Sequence, residues 1–286
     1  MGDSVQIREM YRGDFGFVMS MVRDEGWNQT EKDWEILTEN KGNLCLFAFF
    51  NEVPAGTASA IVYSGETAWI CMVIVKKMFR GKGISNALVK LLLGELADVP
   101  LVGLDATPAG RPVYENLGFH TESIFLRLFN PEVNPECFYS EIISPVNVST
   151  RDIPEIIALD RLVSGTSRQF LIEAMVRNFP ERSWVLNRNG VISGFALGRQ
   201  GNRFNQIGPV LAQNDHDAML LISTALQSLD GLPAGIDVPA EKPILIAWLE
   251  QKGFTVQRPF SRMYLHGNHP DADVEKRYAI AGPEFG

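Results

Sequence analysis

Cysteine is scarce in this chain, and the three residues present, Cys45, Cys71 and Cys137, are scattered and share no metal-ligand spacing. A disulfide framework and a zinc site are set aside in favour of buried thiols, and no metal is expected. Long apolar runs are missing as well. No stretch reaches the roughly 18 residues that a membrane span requires, and Met1 to Met10 is too polar for a secretory leader, so the expectation is a cytoplasmic protein with no membrane partner. Positive charge is in deficit, with 26 Lys and Arg against 34 Asp and Glu and a net charge of −8. Binding nucleic acid needs clustered cations, and the only dense cluster runs from Lys76 to Lys82. A neutral or cationic small molecule is the easier partner. His120, His216, His266 and His269 are dispersed, and no Ser/His/Asp order assembles around them.

What is present is a chain long enough for two domains, with 45% apolar residues to fill their cores. Periodicity predicts a strand over Val5–Arg8, helices over Gly13–Asp24 and Thr30–Thr38, and strands over Leu44–Phe50, Pro54–Tyr63 and Glu66–Lys76. A helix over Gly83–Leu96, a strand over Leu101–Asp105, a helix over Arg111–Leu117 and a strand over Phe119–Leu128 follow. Residues 131–145, which contain proline, read as a linker. The order then repeats. Helices over Pro154–Leu162 and Ser167–Asn178 precede strands over Ser183–Leu186, Val191–Arg199 and Arg203–Leu211, then helix Asp217–Leu229, strand Gly235–Val238, helix Ile244–Gln251 and strand Phe254–Leu265. The class is mixed α/β, with units over 1–130 and 146–266 and a tail over 267–286.

The densest information lies in residues 72–91, where a buried strand runs through the glycine-bearing turn Arg80-Gly81-Lys82-Gly83-Ile84-Ser85 into an amphipathic helix. Such a turn exposes backbone N–H groups at a helix N-terminus, with Arg80 and Lys82 adding charge, so a phosphate is its natural ligand. Neither common nucleotide signature fits. The four-residue gap before Gly-Lys-Ser/Thr is missing, and so is the third glycine of a dinucleotide fingerprint. The turn instead resembles the acetyl-coenzyme A loop of the GNAT superfamily of N-acetyltransferases, Gln/Arg-x-x-Gly-x-Gly/Ala, with Ser85 as the departure. Tyr114-Glu115-Asn116-Leu117-Gly118-Phe119 resembles the same family's closing signature.

Leu249-Glu250-Gln251-Lys252-Gly253-Phe254 echoes that signature in the second half, so the resemblance implies two tandem GNAT folds. Opposite the Arg80–Ser85 loop, however, stands Ala212-Gln213-Asn214-Asp215-His216-Asp217, with no glycine and two carboxylates that would repel a pyrophosphate. Only the first copy is expected to bind cofactor.

The resemblance implies acetyl transfer from acetyl-coenzyme A to a primary amine by direct attack. Val73, Ile74 and Val75 map to a splayed strand that holds the thioester and pantetheine, Arg80 to Ser85 to the pyrophosphate loop, and Thr107 to a cofactor contact where the family often carries Asn. Tyr114 maps to the general acid, since a phenol of reference pKa about 10 can serve a thiolate of about 8.5. Glu25 is the first choice of base and Asp105 the second, with Trp27 and Asn28 placed beside the acceptor. The apolar Tyr278, Ile280 and Phe285 leave the tail between fraying and docking. Amino sugar, polyamine and amino acid all stay open as acceptors, as does a homodimer. So do two rivals, a non-catalytic acyl-coenzyme A sensor and a transferase of longer acyl or aminoacyl groups.

Overall fold

The computed structural model describes residues 4–135, 144–266 and 273–286. Cys137, His269 and part of the linker lie outside them. The first half runs β1 (Val5–Glu9), α1 (Phe15–Asp24), α2 (Glu31–Glu39), β2 (Leu44–Phe50), β3 (Val53–Tyr63), β4 (Thr67–Val75), α3 (Ile84–Glu95), β5 (Leu101–Ala106), α4 (Arg111–Glu115) and β6 (His120–Asn130). The second runs β7 (Val146–Asn147), α5 (Ile153–Ser164), α6 (Gln169–Asn178), β8 (Ser183–Arg188), β9 (Val191–Arg199), β10 (Asn205–Leu211), α7 (Asp215–Gln227), β11 (Ala234–Pro239), α8 (Pro243–Gln251) and β12 (Thr255–Leu265), with β13 (Arg277–Ala279) in the tail. The elements read from periodicity are all present, the longer helices through an apolar stripe at the helical period. On α1, for example, Phe15, Val18, Met19, Met21 and Val22 are buried.

All thirteen strands join one sheet, in the order β1-β2-β3-β4-β5-β12-β6-β11-β10-β9-β8-β7, with β13 on β10. Its centre is a reciprocal exchange. The last strand of the second half, β12, pairs antiparallel with β5 of the first, while the last strand of the first half, β6, pairs with β11 of the second. β12 and β6 also pair with each other. Local patterning cannot reveal this, because β6 and β12 carry similar strand sequences and either would satisfy either neighbour.

The cores follow the same logic. α3 covers one face of the first half with Ile84, Leu88 and Leu92 against Leu104, Phe119 and Met263, the last supplied by β12. α7 and α8 do this for the second half. A further core is common to both halves, joining Val18, Trp34 and Phe47 to Ile156, Ile172, Phe195 and Phe285.

The tail docks. Arg277–Ala279 pairs with β10, Ile280 N–H donates to the Asp237 carbonyl, and Phe285 is fully buried. Trp69 Nε1 donates to the Pro283 carbonyl at 2.8 Å and the Tyr63 hydroxyl to that of Phe285 at 2.7 Å.

Candidate active site

β4 and β5 are parallel but pair over three positions only, Thr67 to Trp69 against Leu101 to Gly103, and then diverge. The divergence begins at a bulge. The register of β4 with β3 slips between Thr57 and Ser59, Met72 takes a left-handed φ of 52°, and the Thr57 hydroxyl fastens the Met72 carbonyl at 2.8 Å. A bulge re-aims the strand, and from Ile70 onward the edge of β4 that faces β5 is unpaired, leaving backbone donors along a widening slot.

At the far end of β4 the chain turns through Lys77–Phe79 and then Arg80 to Gly83. Gly81 and Gly83 both adopt φ near +78°, with Gly83 as the N-cap of α3, and a Cβ built on either would meet nothing within 4 Å. Left-handed backbone in two alternate positions turns successive N–H groups toward one side, above the positive end of a twelve-residue helix. The resulting cleft of about 240 Å³ runs from this loop along Val73, Ile74 and Val75 to Tyr114. A long ligand with a phosphate at one end fits this donor set.

A second cavity, of about 140 Å³, lies between the halves. It is lined by Ile70 to Val73 on β4, Leu104 to Thr107 on β5, Arg258 and Phe260 on β12, and Pro283 and Glu284 in the tail. Cleft and cavity share Trp27, Val73, Gly110 and Tyr114. Two chambers therefore meet at a strand bulge and a phenol.

The acetyltransferase (GNAT) family model matches residues 5–119, and a further acetyltransferase (GNAT) domain model matches residues 156–279. The chain carries two GNAT domains in tandem. It is similar to an uncharacterized N-acetyltransferase, YitH, of Bacillus subtilis, at 26% identity over 66% of this chain and 67% of that protein. Its fold matches that of a putative acetyltransferase of Pyrococcus horikoshii, with a TM-score of 0.82, 23% identity and coverage of 99% of this chain and 96% of the other. It also matches a tandem GNAT protein from the clavulanic acid biosynthesis pathway, with a TM-score of 0.63, 12% identity and coverage of 92% and 98%.

In the first GNAT domain Tyr114 stands on the shared wall, its ring edge-on to Phe119 and its hydroxyl without a hydrogen-bond partner among the described residues. Burial, helped slightly by the nearby Cys71, pushes its pKa up to about 12. Cys71 lines the second cavity, where burial holds its thiol well above the ordinary range and so in its unreactive form.

The other residues singled out from sequence separate. Val73, Ile74, Val75, Arg80, Gly81, Gly83, Ile84 and Ser85 line the cleft below the glycine loop. Lys82 is exposed, with its ammonium 5.6 Å from the Phe50 ring centre. Thr107 borders the second cavity instead, its hydroxyl accepting from Gly110 N–H at 3.2 Å. Glu25 lines the cleft, 2.5 Å from Arg80, in an ion pair that is half exposed on the Arg80 side only. Asp105 is wholly buried and held by Arg262 through two bonds of 3.0 and 2.8 Å, which takes both of its oxygens. Asn28 is a peg between the domains. It donates to the Phe204 carbonyl and accepts from the N–H groups of Arg203 and Phe204, so its amide is committed.

Sequence reasoning missed Glu284. Its side chain is buried, lines the second cavity and pairs with Arg199, which also faces Asp33. Burial raises its pKa, and the Asp33 charge adds to this against the opposing pull of Arg199. The apolar Tyr278, Ile280 and Phe285 were the only signal that this segment would be anchored at all.

The second domain repeats the splay, with β10 and β11 pairing over three positions before they part. There, however, β13 enters and pairs with β10, and a Cβ on Gly208 would run into the Ile280 carbonyl. At the head of α7, Asn214 accepts from Asp217 N–H, and the Asp217 carboxylate is bound by Arg188. The slot is filled by the chain's own tail, and the helix N-terminus already has an anion of its own.

Proposed function

We propose that the first domain is an acetyl-coenzyme A-dependent N-acetyltransferase that modifies a primary amine of a small molecule by direct attack. The observation that carries the reading is the junction at Val73 and Tyr114 between a cleft headed by the glycine loop and a second cavity. Acetyl-coenzyme A would supply the activated acyl group, and Gly81, Gly83 and the first turn of α3 suit its pyrophosphate. The unpaired edge of β4 offers N–H groups for the thioester carbonyl and the pantetheine amides.

The phenol's altered acidity refines its role. Full transfer of a proton from a group at about 12 to a free thiolate at about 8.5 is uphill by roughly 3.5 units, or about 5 kcal/mol. Tyr114 therefore acts as a neutral donor that hydrogen-bonds the departing sulfur, and the balancing proton comes from the acceptor. An ammonium of pKa about 10 must lose that proton before attack. Glu284, whose pKa is raised by burial and whose residue lines the cavity, is the candidate to receive it. Glu25 lies with Arg80 in the donor cleft, and Asp105 has no free oxygen. Thiol release from acetyl-coenzyme A across a panel of small amines tests the reading. Absence of release with every amine would end it.

A further inference from the structure

Buried polar atoms without partners are few in native proteins, and each needs an explanation. Three of those in this protein belong to side chains that line the same cavity: Gln29 Oε1, Glu284 Oε2 and Arg258 Nε. They are complementary. Two are acceptors, suited to an ammonium, and one is a donor of a planar guanidinium, suited to a carboxylate.

The charges lining the cavity point the same way. Arg127 is held by Asp237 through bonds of 2.8 and 2.7 Å, Asp105 by Arg262, and Glu284 by Arg199. Arg258 alone makes neither a salt bridge nor a hydrogen bond among the described residues, although the Asp237 and Glu284 carboxylates lie near enough to oppose the fall in its pKa. It rests 5.0 Å from the Phe260 ring centre. Its neighbour across the strand pair is Arg127, an opposition of like charges that costs stability. Burial and Arg127 both lower its pKa. An anion brought by a ligand would relieve all three conditions.

We infer that the acceptor is a compact amino acid-like zwitterion whose carboxylate is bound by Arg258 and whose nitrogen lies between Gln29, Glu284 and Tyr114. This rests on the acetyl-transfer reading for the identity of the reacting end. The cavity's volume, about 140 Å³, is on the scale of one that takes a benzene-sized molecule. Ile70, Leu104 and Phe260 give it apolar walls, so an apolar side chain suits it better than a sugar. A carboxylate is favoured over a phosphate because a dianion would also face the Glu284 carboxylate. The neutral or cationic acceptor expected from overall charge is thereby narrowed by the charges of the cavity itself.

The test uses matched ligands on the intact protein: leucine and phenylalanine, their decarboxylated amines, their amides, and phosphoethanolamine. Thermal stabilisation reports binding without turnover, and thiol release gives KM. In the wild type the amino acids should bind about 10- to 100-fold more tightly than their decarboxylated partners. Arg258→Gln should remove that preference, so that each amino acid binds no more tightly than its decarboxylated partner, and Arg258→Lys should restore only part of it. Equal binding of both members of a pair overturns the inference even if no variant folds, and so does binding of phosphoethanolamine alone. Carboxylate-dependent stabilisation without thiol release would support the Arg258 subsite and count against acetyl transfer. Turnover of plain amines with no preference for a carboxylate would do the reverse.

Discussion

Gly83→Ala separates the structural duty of the cofactor loop from its binding duty. At φ +77° an L-residue is strained by about 1–2 kcal/mol, of which roughly 0.4–1 kcal/mol is offset by the stiffer unfolded chain. No clash is added, since the new Cβ meets nothing within 4 Å. The net loss of about 1 kcal/mol should lower Tm by roughly 2–4 °C in a chain of this size. Gly190, in the Asn189-Gly190 turn between β8 and β9, is a matched control, with φ +81° and equally open space. Gly190→Ala should show the same Tm shift. Only at position 83 does the methyl group enter the face from which N–H groups reach a phosphate. Losing one charge-assisted hydrogen bond, worth about 1.5–3 kcal/mol, should weaken coenzyme A binding roughly 10- to 100-fold. Thermal melts without ligand and calorimetric titration with coenzyme A measure the two effects. Unchanged affinity in Gly83→Ala, or an equal fall in both variants, would refute the assignment of the loop.

The remaining expectations concern the reaction and the tail. Tyr114→Phe should lower kcat about 100-fold or more while KM for acetyl-coenzyme A stays within a few-fold. With the phenol's pKa pushed up to about 12, wild-type activity should show no alkaline decline between pH 8 and 10, and a limb near pH 10 that vanishes in Tyr114→Phe would contradict its burial. Glu284→Gln should cut kcat/KM sharply at neutral pH and recover as pH approaches the amine's own pKa. A pH profile parallel to wild type would exclude Glu284 as proton acceptor. Phe285→Ala empties a fully buried position and should cost roughly 3–5 kcal/mol in denaturant unfolding, together with a raised acceptor KM. An unchanged midpoint would show that the tail is not an integral part of the core.

The cleft below the glycine loop was legible because its parts are contiguous. One strand, one turn and one helix carry Val73 to Ser85, and a glycine pattern states the backbone geometry directly. The second cavity was not. Asp105 looks like a free strand-end carboxylate until Arg262, 157 residues away, is placed beside it by strand pairing. Asn28 looks like a pocket residue until the 203–204 backbone closes on its amide. Glu284 and Arg258 have no local pattern, and only the exchange of last strands and the docking of the tail bring them together. The expectation that the second half does not bind cofactor was read from missing glycines. Its physical completion, a slot filled by residues 277–281, lies in register that no short window contains.

The exchange of β6 and β12 also fixes a timetable. As the chain leaves the ribosome, β5 and its open edge emerge long before β12, whose Arg262 follows Asp105 by 157 positions. At about 5–20 residues per second, the edge waits roughly ten to thirty seconds for its partner. During that interval β6 is the only other strand the nascent first half can offer it, and that pairing would have to be undone before the final sheet could form. A chain cut in the linker would yield two fragments, each lacking the strand that the other half lends to its sheet.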